Sequence, residues 1–148
     1  MNNDSLIFAV IGCGAFSRGQ DIPNIARSSR ATLHTCCALS GEALKECKDT
    51  HAAQNIDTNW RRVVENSEVE TICLATTESL RRPVIQLAAE KGKPVYVEKL
   101  LARTMEEVYE IQKVVNDSGI PFCVGHNRRY SPALIDAQRI FRSHMETP

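Results

Sequence analysis

Two kinds of hydrophobic pattern alternate along this chain. Short runs of consecutive apolar residues, typical of strands buried on both faces, are separated by longer segments whose apolar residues recur every three or four positions, as in amphipathic helices. The short runs predict six strands, of which the third is a short edge strand: Leu6 to Ile11, Thr32 to Leu39, Ile56 to Thr58, Val69 to Ala75, Pro94 to Val97, and Ile120 to Val124.

The segments between these runs carry the start and stop signals of helices. Residues 104–107 read Thr-Met-Glu-Glu, a capping box, and Gly119 ends the helix that this box begins. Another helix can be capped by Ser79 and terminated by Gly92. The predicted helices run from Ala15 to about Ser28, Gly41 to about His51, Asn59 to Asn66, Leu80 to Lys91, Met105 to Ser118, and Pro132 to about Ser143.

This alternation of strands and helices predicts the fold class. Strands separated by helices of this length need crossover connections, so the sheet is expected to be parallel with helices on both faces. The 148 residues have the size of one domain. We therefore predict a doubly wound α/β domain, in which ligands bind outside the carboxyl ends of the strands.

The first strand leads straight into a Gly-x-Gly turn and then into a helix. Gly12 permits the tight turn and Gly14 lets the backbone approach phosphates, while the helix N-terminus offers free N–H groups. Ser17 stands where the third glycine of Gly-x-Gly-x-x-Gly would be, and tight turns also use glycine for conformational reasons. The order of strand, turn and helix favours a dinucleotide pyrophosphate over Gly12, Gly14, Ala15 and Phe16.

The end of the second strand predicts which dinucleotide is bound. NAD sites usually place an acidic residue here to bind the ribose 2′-hydroxyl, whereas this strand is followed by Ser40 and Gly41, with no carboxylate before Glu42. A serine can donate to a 2′-phosphate and does not repel it. We predict NADP(H), with NAD(H) as the alternative, although Ser40 is also a ready helix N-cap.

Later strand ends supply residues of a different chemical character. Thr76 and Thr77 follow the fourth strand, Glu98 and Lys99 follow the fifth, and Asn127 lies just after the sixth. Small and hydroxyl residues thus stand near the expected phosphates, and a lysine stands further along. This gradient fits a cofactor at one end of the cleft and chemistry at the other.

Four segments occur in a fixed order along nearly the whole chain: Gly12-Cys13-Gly14, Ala75-Thr76-Thr77, Glu98-Lys99-Leu100-Leu101-Ala102, and Val124 to Pro132. In this order they resemble the signature of the Gfo/Idh/MocA oxidoreductases, the relatives of glucose–fructose oxidoreductase and inositol dehydrogenase. The resemblance implies an NAD(P)-binding Rossmann domain that takes hydride to or from a sugar, a polyol or a related hydroxyl compound.

The same resemblance implies a catalytic lysine. In the family a Glu-Lys-Pro segment supplies a lysine to the active site, which corresponds to Lys99 here, with Leu100 in place of the proline. A cation beside the reacting oxygen stabilises the charge that develops on it and can relay its proton. The resemblance also implies cofactor contacts from Ala75, Thr76, Thr77, Glu98, Lys99 and Asn127.

Family members continue into a second, sheet-rich domain that completes the substrate pocket. The resemblance therefore assigns residues 1–148 to the cofactor domain, with a core at about 5–126 and with 127–148 as the start of the connection to that second domain. The second domain is absent from this sequence. Two alternatives stay open: a truncated chain and a stand-alone cofactor domain.

Composition narrows the partners and the compartment. Eighteen basic residues balance eighteen acidic ones, and no apolar stretch reaches 18 residues, so neither nucleic acid nor a membrane is expected as a partner. The six cysteines form no Cys-x-x-Cys pair, and the N-terminus lacks the basic start of a secretory signal. We expect a reducing, cytoplasmic setting and no metal site, with a homo-oligomer as an option.

Two other classes of function compete with an oxidoreductase. A non-catalytic dinucleotide sensor or assembly module would need no second domain. A methyltransferase shares a Gly-x-Gly turn after its first strand, but the Glu-Lys-Leu-Leu-Ala and Asn-Arg-Arg-Tyr-Ser-Pro segments argue against it. Among the remaining residues, His126, Arg128, Arg129 and Trp60 are more simply explained as polar rim residues or packing residues.

Overall fold

A computed structural model describes residues 5–145 and contains one six-stranded, all-parallel sheet with the strand order β3-β2-β1-β4-β5-β6. The predicted fold class is confirmed, and so is the position of every predicted strand to within about two residues. The strands are β1 Leu6–Ile11, β2 Ala31–Cys37, β3 Asn55–Asp57, β4 Thr71–Leu74, β5 Val95–Glu98 and β6 Phe122–Gly125.

Helices connect the strands, and two apolar cores lie on opposite faces of the sheet. One core is centred on Ile72, Leu74 and Val97, and the other on Val10, Ile22 and Leu44. The helices are α1 Ala15–Gly19, α2 Asp21–Arg27, α3 Gly41–His51, α4 Trp60–Glu65, α5 Glu78–Glu90, α6 Met105–Ser118 and α7 Pro132–Met145, with a 3-10 turn at Asn127–Tyr130.

The long first helix predicted from the sequence is wrong, because the chain breaks at Gln20 between α1 and α2. Gln20 has φ −131° and ψ −68°, outside the helical region. Pro23 explains the break: it has no N–H to bond the carbonyl four residues earlier, and its ring clashes with that carbonyl. In the shorter α2, Pro23 lies in the first turn, where proline is tolerated.

Two predicted helix starts have different outcomes. The Thr104 hydroxyl accepts from the Glu107 N–H at 3.3 Å, which confirms this cap, and Gly119 ends α6 with φ +67°. The predicted cap at Ser79 is wrong, because α5 begins earlier and Thr77 occupies the N-cap position without a side-chain hydrogen bond.

The register of the sheet brings the carboxyl ends of its strands to one edge. Ile11 pairs with both Cys37 and Leu74, and Glu98 pairs with Gly125. The segments that follow β1, β2, β4, β5 and β6 therefore emerge side by side, as a parallel sheet requires. In residues 5–145 no helix is both long enough and apolar enough to cross a membrane.

Candidate functional site

A cleft of about 330 Å³ opens at the carboxyl ends of β1, β2 and β4. It brings together six of the predicted or adjacent motif residues: Gly12, Cys13, Gly14, Ser40, Thr76 and Thr77. Its remaining wall is largely apolar and comes from Ala38, Leu39, Ala43, Thr58, Trp60 and Leu80, with Ile11 and Cys37 beneath. A concave apolar site with a few convergent polar groups is the usual form of a small-molecule site.

The two glycines of the turn have different surroundings: Gly12 is in close backbone contact, and Gly14 faces open space. Gly12 has φ +101°, and a Cβ on it would lie 2.5 Å from the Ala75 carbonyl oxygen. The turn and the end of β4 are thus in backbone contact, which requires glycine. A Cβ on Gly14 would meet no atom within 4 Å, so this position opens into free space at the start of α1. That space is what a phosphate group needs for close approach to the backbone.

Ala15 and Phe16 form the first turn of α1 and are exposed beside the cleft rather than among the residues that line it. Ser40 is the N-cap of α3, and its hydroxyl accepts from the Ala43 N–H at 3.3 Å. This bond uses the Ser40 oxygen as an acceptor and leaves its O–H able to donate. Gly41 is the exposed first residue of α3.

Trp60 belongs to the apolar wall of the cleft. Its ring packs against the core under β4, and the Arg61 guanidinium lies 4.4 Å from the ring centroid. This distance is within the range of a cation–π contact, which orients the ring. From the sequence, Trp60 was expected to pack in the edge helix. The structure also places it in the wall of the cleft, beside the glycine turn.

Arg81 is a site-building residue that sequence reasoning missed. Only 3% of it is exposed, and its guanidinium donates to the Thr76 carbonyl at 2.8 and 3.2 Å and to the Lys99 carbonyl at 3.4 Å. Burial lowers the pKa of the Arg81 guanidinium, against the opposing effect of nearby Glu78 and Glu98. It links the ends of β4 and β5. No sequence motif marks it, since its two acceptors are backbone atoms.

Glu98 points away from the cleft. Its side chain is buried and accepts from the Tyr96 hydroxyl at 2.7 Å, and a Cβ on Gly125 would lie 2.6 Å from Glu98 Oε1. Burial raises the pKa of Tyr96, and so does this hydrogen bond to a carboxylate. Across the sheet face, burial and the Glu98 charge raise the pKa of Asp21 to about 6.

Lys99 and Asn127 lie at the same sheet edge but outside the residues that line the cleft. Both are exposed, and the peptide bond between Lys99 and Leu100 is cis. Lys99 follows β5, and Asn127 opens the 3-10 turn after β6. Ala75 lies at the end of β4, where its N–H donates to the Ile11 carbonyl at 2.8 Å. The fold therefore divides the predicted residues into a glycine-turn group and a group beyond β5.

These features define a nucleotide-binding domain of the Rossmann class, and comparison with known proteins gives the family. Residues 6–126 match the sequence profile of the Gfo/Idh/MocA family, which is described as an oxidoreductase family with an NAD-binding Rossmann fold. The chain belongs to the Gfo/Idh/MocA family, whose members include NAD-dependent oxidoreductases. This family match supports the predicted oxidoreductase over a sensor module or a methyltransferase.

Curated relatives include sugar and polyol dehydrogenases. Over 77 residues the chain is 35% identical to scyllo-inositol 2-dehydrogenase (NAD(+)) of Bacillus subtilis. The aligned segment covers 52% of this chain and 22% of that protein. Over 86 residues it is 33% identical to levoglucosan dehydrogenase of Pseudarthrobacter phenanthrenivorans. That alignment covers 58% of this chain and 22% of that protein. The chain spans less than half the length of these relatives.

Solved structures share the fold. A crystal structure of scyllo-inositol dehydrogenase from Lactobacillus casei with bound NAD(H) and scyllo-inositol superposes with a TM-score of 0.89 at 17% identity, covering 97% of this chain and 42% of that one. Myo-inositol 2-dehydrogenase from Lactobacillus plantarum gives a TM-score of 0.87 at 23% identity, covering 94% of this chain and 41% of that one.

Proposed function

We propose that this chain is the cofactor-binding part of a dehydrogenase or reductase that acts on a sugar, a polyol or a related hydroxyl compound. The observation that carries the proposal is the pair of glycines at the end of β1. Gly12 brings the turn against the end of β4, and Gly14 leaves open space at the mouth of the cleft. A dinucleotide pyrophosphate fits this arrangement because it needs backbone N–H groups without intervening side chains.

The remaining predicted contacts follow the cleft from one side to the other. Gly12, Gly14, Ala15 and Phe16 would bind the pyrophosphate, and Ser40 and Gly41 the adenosine ribose. Thr76 and Thr77 line the cleft opposite Ser40, and together with Ala75 they follow directly on β4. Glu98, Lys99 and Asn127 would lie toward the nicotinamide. Because the Glu98 carboxylate is buried with Tyr96, its contribution would come from its backbone.

A preference for NADP(H) over NAD(H) is part of this proposal. Its support is chemical: β2 is followed by Ala38, Leu39 and Ser40, without a carboxylate to repel a 2′-phosphate, and the Ser40 O–H is able to donate. Lys45, exposed on α3 and paired with Asp49 at 3.2 Å, lies on the same helix. The bound NAD(H) of one structural neighbour and the NAD(+) in one relative's name belong to those proteins.

Lys99 is the proposed catalytic residue. The nicotinamide supplies or accepts the hydride, and the residues of this chain supply position and charge. The Lys99 side chain is exposed at the sheet edge, and its carbonyl is held by Arg81. An ammonium group held there would stabilise negative charge on the substrate oxygen and exchange a proton with it.

Helix α7 supports the proposed connection to a further domain. Four of its large apolar side chains are 42–67% exposed. Within residues 5–145 the helix contacts mainly the 3-10 turn before it. The second family domain, which would start beyond residues 127–148, would cover these apolar positions: Leu134, Ile135, Ile140 and Phe141.

Residues 1–4 and 146–148 of the proposed domain lie outside the described residues. A cytoplasmic location and a homo-oligomer also stay predictions, the former supported by six unpaired cysteines.

Kinetics of the complete reading frame would test the proposed role of Lys99. We expect Lys99→Ala to lower kcat by about 100-fold or more while leaving the cofactor Kd nearly unchanged, since it removes an interaction made in the transition state. Lys113→Ala, an exposed lysine paired with Asp117 on α6, is the matched control. The isolated 148 residues should bind cofactor without turnover. An unchanged kcat in Lys99→Ala would return Lys99 to the class of surface lysines.

A further inference from the structure

Three cysteines from separate parts of the chain meet under the glycine turn. Cys13 lies in the turn, Cys36 in β2 and Cys47 in α3, and their exposed fractions are 3%, 0% and 0%. Their Sγ atoms all lie within 4.8 Å of one another. We call these three residues the thiol cluster. Cys37, Cys73 and Cys123 lie outside it.

The three sulfurs lie close together, and the Cys13 thiol also donates to the Cys37 carbonyl oxygen at 3.5 Å. Hydrogen bonding with Cys36 lowers the pKa of Cys13 against the opposing effect of burial, and Cys47, the Cys37 backbone and Arg18 lower it further. Contact with Cys13, together with burial, raises the pKa of Cys36, and burial followed by the same contact raises that of Cys47 to about 11. All three thiols lie within reach of one shared ion, as the separations of their Sγ atoms show.

The spacing suits a metal ion. Sulfur–metal bonds of about 2.3 Å in a trigonal plane place the sulfurs about 4 Å apart, so sulfurs within 4.8 Å need to move by less than about 1 Å. The three ligands come from a turn, a strand and a helix that pack on one face of the sheet. The fold therefore holds them together without an ion, as a preformed site would.

We propose that Cys13, Cys36 and Cys47 form a binding site for a soft, thiophilic metal ion, with Cu(I) preferred over Zn(II). Soft thiolate ligands select Cu(I), whereas Zn(II) in proteins almost always takes four ligands. Among residues 5–145, the group within mutual reach holds three sulfurs and no histidine or carboxylate. Nothing in this inference depends on the proposed dinucleotide site.

Binding of Cu(I) to the thiol cluster releases protons and changes the charge of the site. As Cu(I) binds, each S–H bond is replaced by a Cu–S bond and up to three protons pass to solvent, while copper and sulfur keep their oxidation states. The filled site carries a net negative charge in an apolar surrounding, which is unfavourable without compensation. The Arg18 guanidinium, which also pairs with Glu46, is a positive charge that acts electrostatically on both Cys13 and Cys47.

The test is an anaerobic competition in which Cu(I) is supplied as its complex with bicinchoninate. The reduced 148-residue chain should remove one equivalent of Cu(I), and X-ray absorption of the product should show three sulfur neighbours. Zn(II), titrated separately against a chromophoric chelator, should bind at least about tenfold more weakly. Failure to compete for Cu(I), or tighter binding of Zn(II), would overturn the proposal.

Alanine variants locate the site. Cys47→Ala, and in a second protein Cys36→Ala, should weaken Cu(I) binding by at least about 100-fold and reduce the number of sulfur neighbours to two. Cys73→Ala is the matched control, because Cys73 is equally buried on the same sheet face but lies outside the thiol cluster. Circular dichroism selects the variants that stay folded. Cu(I) binding that survives in a folded cluster variant, or that is lost in Cys73→Ala, would contradict the assignment.

Discussion

The Arg81 guanidinium donates two hydrogen bonds to the carbonyl oxygen of Thr76, at 2.8 and 3.2 Å. Thr76 lines the cleft, and the same guanidinium reaches the carbonyl of Lys99 at 3.4 Å. One side chain therefore holds together the two strand ends that carry the two halves of the candidate site. Because Arg81 is buried, these bonds are shielded from water and contribute more than surface bonds would.

We expect Arg81→Ala to lower the free energy of unfolding of the 148-residue chain by about 2–3 kcal/mol, since it removes charge-assisted hydrogen bonds from a buried side chain to two backbone carbonyls. Urea unfolding followed by circular dichroism measures the change. The matched control is Arg82→Ala, which removes an exposed arginine paired with Glu110 and should cost no more than about 1 kcal/mol. Equal losses in the two variants would show that Arg81 does not link β4 to β5.

Gly12→Ala should destabilise the fold more than the same change at another glycine of positive φ. The new Cβ would lie 2.5 Å from a backbone oxygen, in addition to the strain of φ +101°, so we expect a loss of about 3 kcal/mol or more. Gly92→Ala, at φ +68° with no atom within 4 Å, carries the backbone strain alone and should cost about 1 kcal/mol. Thermal and urea unfolding compare them. A smaller loss for Gly12→Ala than for Gly92→Ala would disprove the backbone contact.

Asp21 should make stability depend on pH between about 4 and 6. Burial raises its folded-state pKa to about 6, above the unfolded value near 4, so the folded chain holds a proton that the unfolded chain releases. The contribution of Asp21 to the free energy of unfolding is about 1 kcal/mol, because the group is partly solvated. This contribution is greatest below pH 4 and is lost as pH rises through 6. Unfolding free energies from pH 4 to 8 measure it. Asp21→Asn should remove the slope and Asp49→Asn, on exposed α3 surface, should keep it. A wild-type slope unchanged in Asp21→Asn would assign it to other groups.

Ser40→Asp should change the cofactor preference. A carboxylate at the end of β2 repels a 2′-phosphate and binds the ribose 2′-hydroxyl, so the ratio of the NADPH and NADH dissociation constants should shift toward NADH by about tenfold or more. Because Ser40 caps α3, aspartate is the suitable replacement, since it can also accept from the Ala43 N–H. Fluorescence titration with both cofactors measures the ratio. Equal wild-type affinities, or tighter NADH, would contradict the NADP(H) preference.

Local signals predicted much of this fold. Apolar runs marked all six strands, and the Thr104 cap and Gly119 bounded α6 correctly because caps and left-handed glycines are decided by neighbours in sequence. The break at Gln20 was missed, although Pro23 stands close to it. A proline is compatible with either a helix interior that kinks or a new first turn, and the choice between these depends on packing.

Features formed by distant parts of the chain were beyond the sequence. Arg81 acts on carbonyls, which every residue has, so its role emerges only when β4 and β5 lie side by side. The thiol cluster joins residues 11 to 34 positions apart, without the close spacing that marks common metal sites. The glycine turn and the separate roles of Gly12 and Gly14 were recognisable from sequence, but the close contact of Gly12 with the Ala75 backbone appears only when β1 and β4 lie side by side.

Direct titration of the 148-residue chain with NADPH, NADH and S-adenosylmethionine tests the central claim, that the cleft at the glycine turn binds a nicotinamide dinucleotide. Nicotinamide fluorescence and calorimetry should show binding of a nicotinamide cofactor and none of S-adenosylmethionine. Gly14→Val should stay folded, because its side chain meets open space, yet bind at least about tenfold more weakly, while Gly19→Val, equally open at the far end of α1, should bind normally. A folded Gly14→Val protein that binds cofactor as tightly as wild type would contradict the claim.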